Sequence, residues 1–323
     1  MKSSKFFPAV ILGLTALIAV VTGFMIRESG NPVSPEQIQV IIDNSSDNRW
    51  VQFIAGMQKA AEDQNVKLTV VPTDRFHSIA QEKELVESAV SAGADGVILQ
   101  LISDKNAAVM LEEIGGKIHV ELVDEGESEA MGYIAGIVSP DHKAIGKTLA
   151  EEVAALYPGA LGSGTIGVLQ ENSSSSAMKQ RAEGFTQALE EKGGQIAWIL
   201  EPSDSSRTMK EMLADREPPD ILVALDNTSL ETAGEYAAAQ TKEILVVGTG
   251  TSAKAIYYLD SGAVQSMVVP EDFMMGYQSV TDLTNYIRRS TFLPQVRDVA
   301  YRVVHRDTLF AEENQGILFP IQH

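Results

Sequence analysis

The sequence predicts an α/β protein of two lobes, each with a parallel sheet between layers of helices. Two series of short apolar runs alternate with stretches of helical periodicity, one series before residue 140 and one after residue 164. Such runs are typical of strands that are buried on both faces, and helical crossovers make these strands parallel. A chain of 323 residues exceeds the size at which one core stops growing, about 250–300 residues, so two lobes are favoured.

The strands follow one another in the same order of elements in both series. The first series contains "IQVII", "KLTVV", "GVILQL" and "IHVELV", and the second contains "TIGVLQ", "IAWIL", "DILVAL", "ILVVG" and "VQSMVV". The intervening stretches, such as "WVQFIAGMQKAAEDQ" and "AMKQRAEGFTQALEEKG", carry apolar residues at helical spacing. The two series share no residue-level repeat.

The composition excludes several classes of function. The formal net charge is -19, from 44 acidic and 25 basic residues, and such a field repels phosphate backbones, so no nucleic acid is expected as a partner. The chain has no cysteine, which excludes disulfides, thiol catalysis and cysteine-based zinc sites. The five histidines are scattered without metal-ligand spacing. We therefore expect neither a metal nor another cofactor.

The amino terminus predicts a membrane anchor. The stretch "FFPAVILGLTALIAVVTGFMI", residues 6–26, carries no charge; about 20 apolar residues span a bilayer, whereas a signal-peptide core has about 7–15. Lys2 and Lys5 precede it, so the positive-inside rule places the rest of the chain outside the cytoplasm. We expect residues 1–30 to be a single-pass anchor and the start of a linker. Cleavage after "VTG" at 21–23 is the alternative.

Polar and mostly acidic loops follow the predicted strands. Ligands of parallel sheets bind beyond the carboxyl ends of the strands, and the first such loop reads "DNSSDNRW" from Asp43 to Trp50. Carboxylates accept hydrogen bonds from adjacent hydroxyls, and an indole face covers the C–H face of a sugar ring. This pattern favours a sugar-like solute. A cationic amine is the alternative ligand, and capping of the next helix is the alternative role of Asp43 and Asp47.

Three segments resemble type I periplasmic solute-binding proteins, in a pattern close to the ribose-binding proteins. They are "RAEGFTQAL" at 181–189, "LVALDNTSLETAG" at 222–234 and "ILVVG" at 244–248, and the resemblance covers roughly residues 36–290. It implies two lobes joined by three hinge crossovers, near 139–140, 270–271 and 290–296. The implied amino-terminal lobe is 36–139 with 271–291, and the implied carboxyl-terminal lobe is 140–270 with 292–323.

The resemblance also implies ligand contacts from both lobes. With Ser205 added from the loop after "IAWIL", the candidate ligand-binding residues are Asp43, Asp47, Arg49, Trp50, Asp124, Glu125, Lys179, Ser205, Asp226, Gly250 and Pro270. Trp50 fits the family's stacking position, and Asp226 lies where the family holds ligand hydroxyls.

Four of these positions depart from the family pattern. Glu125 stands in place of the arginine of an Asp-Arg pair, and Lys179 replaces a helix-start arginine without its bidentate fork. Gly250 and Pro270 stand where the family has an aspartate and a glutamine. The fold is compatible with these changes, but ribose as the ligand is not.

The resemblance implies a binding protein that closes its lobes on a small molecule and presents it to the permease of an ABC importer. A ligand-sensing subunit for a membrane histidine kinase is the alternative. We expect no enzyme, because no nucleophile, base and orienting group are assembled and no acid/base pair of a glycosidase is identifiable. The motif "GSGTIG" at 162–167 precedes a strand instead of opening a helix, so it is no dinucleotide-binding fingerprint.

Overall fold

The computed structural model describes residues 34–126, 131–158, 161–202, 207–289 and 293–319. The predicted membrane helix at 6–26 lies outside these residues. Across the described ranges, no helix combines the length and the apolar character that crossing a bilayer would require. Both sheets belong to one compact unit, Glu36–His323.

The first lobe is built on a six-stranded sheet in which every strand is parallel to its neighbours. Its strands are β1 (Gln37–Ile41), β2 (Lys67–Val70), β3 (Gly96–Leu99), β4 (His119–Val123), β5 (Gly136–Pro140) and β11 (Gln295–Val299). Their order across the sheet is β11-β5-β4-β3-β1-β2. The helices of this lobe are α1 (Val51–Gln64), α2 (Ile79–Ser91), α3 (Ala107–Gly115) and α9 (Asp272–Arg288).

Strand β3 shows why this sheet is covered on both faces. All four of its residues are buried, and successive side chains of a strand point to opposite faces. Val97 and Leu99 pack with residues of α2 and α3, whereas Ile98 packs with residues of α1 and α9. The predicted sandwich of helix, sheet and helix is therefore observed.

The second lobe repeats this plan with one antiparallel strand. Its strands are β6 (Ile166–Leu169), β7 (Ile196–Leu200), β8 (Ile221–Ala224), β9 (Leu245–Thr249), β10 (Ser266–Pro270) and β12 (Tyr301–His305). Their order is β12-β10-β9-β8-β6-β7, and only β12 runs antiparallel to its neighbour in this sheet. The helices are α4 (His142–Leu156), α5 (Ser176–Glu191), α6 (Met209–Ala214), α7 (Asn227–Ala238), α8 (Ala253–Ser261) and α10 (Glu312–Leu318).

The chain passes between the two sheets at three single residues. Asp141 separates β5 from α4, Glu271 separates β10 from α9, and Ala300 separates β11 from β12. The third crossing differs from the predicted one at 290–296, because residues 295–299 form an edge strand of the first sheet beside β5. The prediction was wrong because "QVRDV" alternates polar and apolar residues, which is typical of an exposed edge strand and not of a buried one.

Candidate functional site

A cavity of about 490 Å³ lies between the carboxyl ends of the two sheets. Loops after strands of both lobes line it, as expected for parallel sheets that face one another. Nine of the predicted site residues line this cavity: Asp43, Asp47, Arg49, Trp50, Asp124, Glu125, Asp226, Gly250 and Pro270. These nine residues are therefore brought together at the cavity.

The loop after β1 is held together by its own charged and aromatic groups. Arg49 Nη2 lies 3.2 Å from Asp43 Oδ2, and the Arg49 guanidinium carbon lies 4.6 Å from the centre of the Trp50 ring. The Trp50 indole N–H donates to the Asp43 carbonyl oxygen at 2.9 Å, and the Trp50 side chain is only 4% exposed. Trp50 therefore belongs to the core of the first lobe, although it also lines the cavity.

Asp47 has the capping role that the sequence left as an alternative. It is the N-cap of a short 3-10 helix, Asn48–Trp50, and its Oδ1 accepts a hydrogen bond from the Arg49 N–H at 3.0 Å. Asp43 instead accepts a hydrogen bond from the Phe76 N–H at 2.6 Å, so its carboxylate fastens the loop after β2 to the loop after β1.

Asp124 lies at the end of β4 in the left-handed region, with φ 61°. Aspartate tolerates this conformation better than most residues. The turn directs the Asp124 carbonyl oxygen to His142 Nε2, at 2.5 Å. Arg181 Nε donates to His142 Nδ1 at 3.0 Å, so the ring proton of neutral His142 is on Nε2. Burial, followed by the charge of Arg181, lowers the pKa of His142 to about 4, which keeps the ring neutral at pH 7.

Glu125 connects the two lobes instead of facing open space. Its carboxylate accepts hydrogen bonds from the hydroxyl of Ser175 and from the Ser176 N–H, at the start of α5 in the second lobe. Burial raises the pKa of Glu125 to about 8, despite the hydrogen bond from Ser175. The two lobes thus touch across the cleft, and we call this arrangement closed.

Asp226 is the N-cap of α7, and its carboxylate is saturated by its own lobe. Oδ1 accepts from the Ser229 N–H at 2.8 Å, while Oδ2 accepts from the Ser229 hydroxyl at 2.7 Å and from the Glu171 N–H at 2.9 Å. The side chain is 8% exposed. In this arrangement Asp226 shapes the cavity wall and has little acceptor capacity left for a ligand.

Two predicted site residues are not among the lining residues. Lys179 lies outside the cavity wall and pairs across the cleft with Asp104, whose Oδ2 is 2.7 Å from its Nζ. Ser205 lies outside the described residues. Lys179 therefore contributes to the contact between the lobes. In this arrangement it does not line the cavity.

Sequence reasoning missed five charged residues that line the cavity: Arg75, Glu171, Arg181, Glu201 and Asp272. Arg181 is 6% exposed and donates through Nη1 to the Leu225 carbonyl oxygen at 2.8 Å. Asp272 starts α9, and burial, followed by the charge of Asp124, raises its pKa to about 7. Helical spacing from Ala177, which also lines the cavity, would have identified Arg181, since residues four apart share a helix face.

The cavity contains no assembled metal site within the described ranges. Across those ranges, no group of three or more histidine or acidic side chains is arranged to hold a metal ion. The acids of the cavity are instead separated by caps, ion pairs and contacts between the lobes. The arrangement suits a polar organic solute, for which it offers carboxylates, three guanidinium groups and the aromatic side chains of Trp50 and Phe76.

Solved structures with the same fold include several sugar-binding proteins. A carbohydrate-transporter solute-binding protein from Agrobacterium radiobacter, in complex with D-arabinose, has a TM-score of 0.78 at 16% identity, covering 88% of this chain and 99% of that chain. A glucose-galactose binding protein from Geobacillus stearothermophilus has a TM-score of 0.75 at 20% identity, covering 85% and 99%. The XylFII-LytSN complex has a TM-score of 0.71 at 18% identity, covering 85% and 99%.

Sequence comparison identifies the family. No curated protein sequence gives a significant match. The family model described as a periplasmic binding protein domain matches residues 38–290, which run from the second residue of β1 past the end of β10 and α9 and therefore cover most of both lobes. The chain thus belongs to the periplasmic binding protein family, in the two-lobe form that the resemblance to type I solute-binding proteins implied.

Proposed function

We propose that the protein binds a sugar-like small molecule between its two lobes, outside the cytoplasm. The observation that carries this proposal is the cavity itself: it lies at the carboxyl ends of both sheets, and carboxylates and arginines from both lobes line it. Carboxylates and guanidinium groups form strong hydrogen bonds with hydroxyls. The D-arabinose complex of the protein from Agrobacterium radiobacter, and the description of the protein from Geobacillus stearothermophilus as a glucose-galactose binding protein, support the same class of ligand.

Closure of the lobes is the step that converts binding into a signal. A ligand that touches both lobes has a higher affinity for the closed state and shifts the population toward it. A membrane partner then distinguishes the closed protein from the open one. We propose the permease of an ABC importer as this partner, and residues 6–26 as the anchor that keeps the protein at the membrane. The sensing subunit of a histidine kinase is the second candidate, since an anchor in the membrane could contact the helices of another protein.

A thermal-shift screen tests the proposed ligand class. A ligand that binds only the folded state raises the melting temperature, by an amount that grows with its concentration relative to Kd. We expect a neutral sugar, a polyol or an amino sugar to raise it. Asp124→Asn should reduce the shift because it changes the cavity wall, whereas Asp298→Asn, on the exposed edge strand β11, should leave it unchanged. Shifts from none of these compounds would contradict the proposal.

The proposed anchor is tested separately. A reporter fused after residues 1–36 should remain in the membrane fraction at full length, with the reporter outside the cytoplasm. A soluble and shortened fusion protein would show instead that the segment is a cleaved signal.

A further inference from the structure

The cavity walls contain eight acidic residues, and six of them are committed to the protein's own structure. Five of the six accept a hydrogen bond from a backbone N–H, and the sixth, Glu171, accepts one from Arg75 Nη1 at 2.8 Å. The six are Asp43, Asp47, Glu125, Glu171, Glu201 and Asp226. The internal partners of these carboxylates account for their positions without a ligand.

Asp124 and Asp272 are the remaining two acids. Within the described residues, the Asp272 carboxylate accepts one hydrogen bond, from the Thr251 hydroxyl at 3.1 Å. The Asp124 carboxylate has cationic or ring groups only at longer range: Arg181 Nη2 lies 3.7 Å and His142 Nε2 lies 3.5 Å from its Oδ1. Both carboxylates therefore have acceptor capacity that the protein leaves unused.

An unpartnered hydroxyl lines the same cavity. Thr249, at the end of β9, is 3% exposed, and its Oγ1 has no hydrogen-bond partner among the described residues. A buried hydroxyl without a partner is unfavourable, and a bound molecule would relieve this. The observation is independent of the two acids, because Thr249 belongs to the sheet of the second lobe and Asp272 to a helix of the first.

The nearby positive charges do not neutralise Asp272. Arg181 and Arg49 are the cations that act on it, and the negative charge of Asp124 acts in the opposite direction. Arg181 is paired with Asp124, at 3.7 Å, and Arg49 is paired with Asp43. Two arginines therefore face three carboxylates, and the negative charge of ionised Asp272 has no cation of its own.

We propose that Asp124 and Asp272 bind a protonated amine of the ligand, so that the solute is an amino sugar or an aminated polyol. This inference rests on the proposed function and makes its ligand class more specific. An ammonium group has three donors and no acceptor, which matches two carboxylates and a hydroxyl that all accept. A sugar hydroxyl has one donor and no charge, so it would leave the excess negative charge of the site in place.

Isothermal titration calorimetry on the purified full chain tests the inference with matched sugars. The probes are D-glucosamine, D-galactosamine and D-mannosamine, each compared with its neutral hexose and with its N-acetyl form, which keeps the nitrogen but removes the charge. We expect at least one amino sugar to bind ten times more tightly than both of its uncharged counterparts.

Three variants identify the residues responsible. Asp272→Asn keeps the size and the acceptor oxygen but removes the charge, and should reduce the preference for the amine to less than threefold. Asp298→Asn makes the same change at an exposed position of β11 that does not line the cavity, and should keep the full preference. Thr249→Val, which leaves both acids intact, should weaken amino-sugar binding several-fold and gives a second measurement if Asp272→Asn is poorly folded.

The outcomes separate the two proposals. If a neutral hexose binds as tightly as its amino sugar in every pair, the sugar-binding function stands and the amine is excluded. If the Asp272→Asn variant keeps the preference for the amine, the Asp272 carboxylate does not bind the amine. Binding of none of the nine compounds overturns both the amine inference and the sugar-like ligand class on which it rests.

Discussion

Glu125 is a buried acid whose environment changes when the cleft opens. In the closed arrangement burial raises its pKa to about 8, while Ser175 and Ser176 of the other lobe donate to it. When the lobes separate, the carboxyl regains water and its pKa returns toward the ordinary value of about 4.3. Between about pH 4.3 and about pH 8, closure of the cleft is therefore coupled to the uptake of a proton by Glu125. The contribution of Glu125 to closure is complete below about pH 4.3 and is lost as the pH rises through about 8.

We predict that the cleft of the ligand-free protein opens as the pH rises from 6 to 9. The cleft of the Glu125→Gln variant should open less than that of the parent over the same pH range. The amide carries no charge to bury, and its oxygen can accept from the Ser176 N–H while its NH2 group donates to the Ser175 hydroxyl oxygen. Because the chain has no cysteine, one cysteine introduced into each lobe allows dye labelling and energy-transfer measurement of the distance between the lobes. Glu183→Gln, an exposed change in the second lobe, should behave like the parent. An equal response to pH in parent and Glu125→Gln would contradict this role.

Lys179 and Arg181 show how far the contacts of single residues could be predicted from the sequence. The sequence placed the helix-start arginine of the family at Lys179. Helix α5 begins at Ser176 after the N-cap Ser175, and two residues change direction on a helix by about 200°. Ala177 and Phe185 lie four residues before and after Arg181, so their apolar side chains indicate that Arg181 lies on the inward face. The contacts of Glu125 across the cleft had no such signal, because they join residues fifty positions apart.

Reciprocal glycines hold two helix pairs in close contact. In the first lobe, a Cβ on Gly56 would lie 1.9 Å from the Phe273 carbonyl oxygen, and one on Gly276 would lie 2.0 Å from the Phe53 carbonyl oxygen. In the second lobe, the helices α4 and α5 meet in the same way through Gly146 and Gly184. In each lobe the pair joins a helix that follows a crossing to a helix that follows the first strand of its own lobe.

We predict that Gly276→Ala destabilises the protein. Alanine in a helix interior is favoured over glycine by about 1 kcal/mol, but the added methyl group would overlap the backbone of α1 and force the two helices apart. Overpacking of this kind costs about 1–3 kcal/mol. The free energy of unfolding in urea should therefore fall. Gly316→Ala in α10 meets no atom within 4 Å and should leave it unchanged or raise it. A Gly276→Ala protein as stable as the parent would contradict the close contact.

The elements themselves were predictable to the extent that they are buried. Strands such as β3 and β8 are apolar throughout, and their runs could be recognised directly. The edge strands β11 and β12 mix charged and apolar residues, so their sequence has no continuous run to recognise. The pairing of the glycines could not be predicted either, because a glycine inside a helix gives no indication of which helix it contacts.

The two lobes are joined across the cleft by ion pairs as well as by Glu125. Arg75 Nη1 lies 2.8 Å from Glu171 Oε2, and Lys179 Nζ lies 2.7 Å from Asp104 Oδ2. Each pair places its cation and its acid on different lobes. Solvent reaches both pairs, so each is worth about 0.2–1 kcal/mol and is weakened by salt. Together they favour the closed arrangement modestly.

We predict that Lys179→Met weakens ligand binding by about 1.4- to 5-fold, which corresponds to the loss of one exposed ion pair. It should also increase the radius of gyration of the ligand-free protein, measured by small-angle X-ray scattering in low salt. Lys143 is similarly exposed but pairs with Glu183 inside the second lobe, so Lys143→Met is the matched control and should change neither quantity. The expected difference between the two variants disappears in high salt. A radius of gyration that is the same for both variants in low salt would exclude this contribution.

The three crossings have a consequence for how the molecule can move. Each crossing is one residue long, and two of them, Asp141 and Glu271, follow prolines that end a strand. The Glu271 N–H also donates to the Ala300 carbonyl oxygen at 2.9 Å, which ties two crossings to each other. Proline has a fixed φ, so only a few backbone dihedrals are free to change at these points. These short connections therefore favour rotation of one lobe relative to the other about the line through the crossings over a sliding motion.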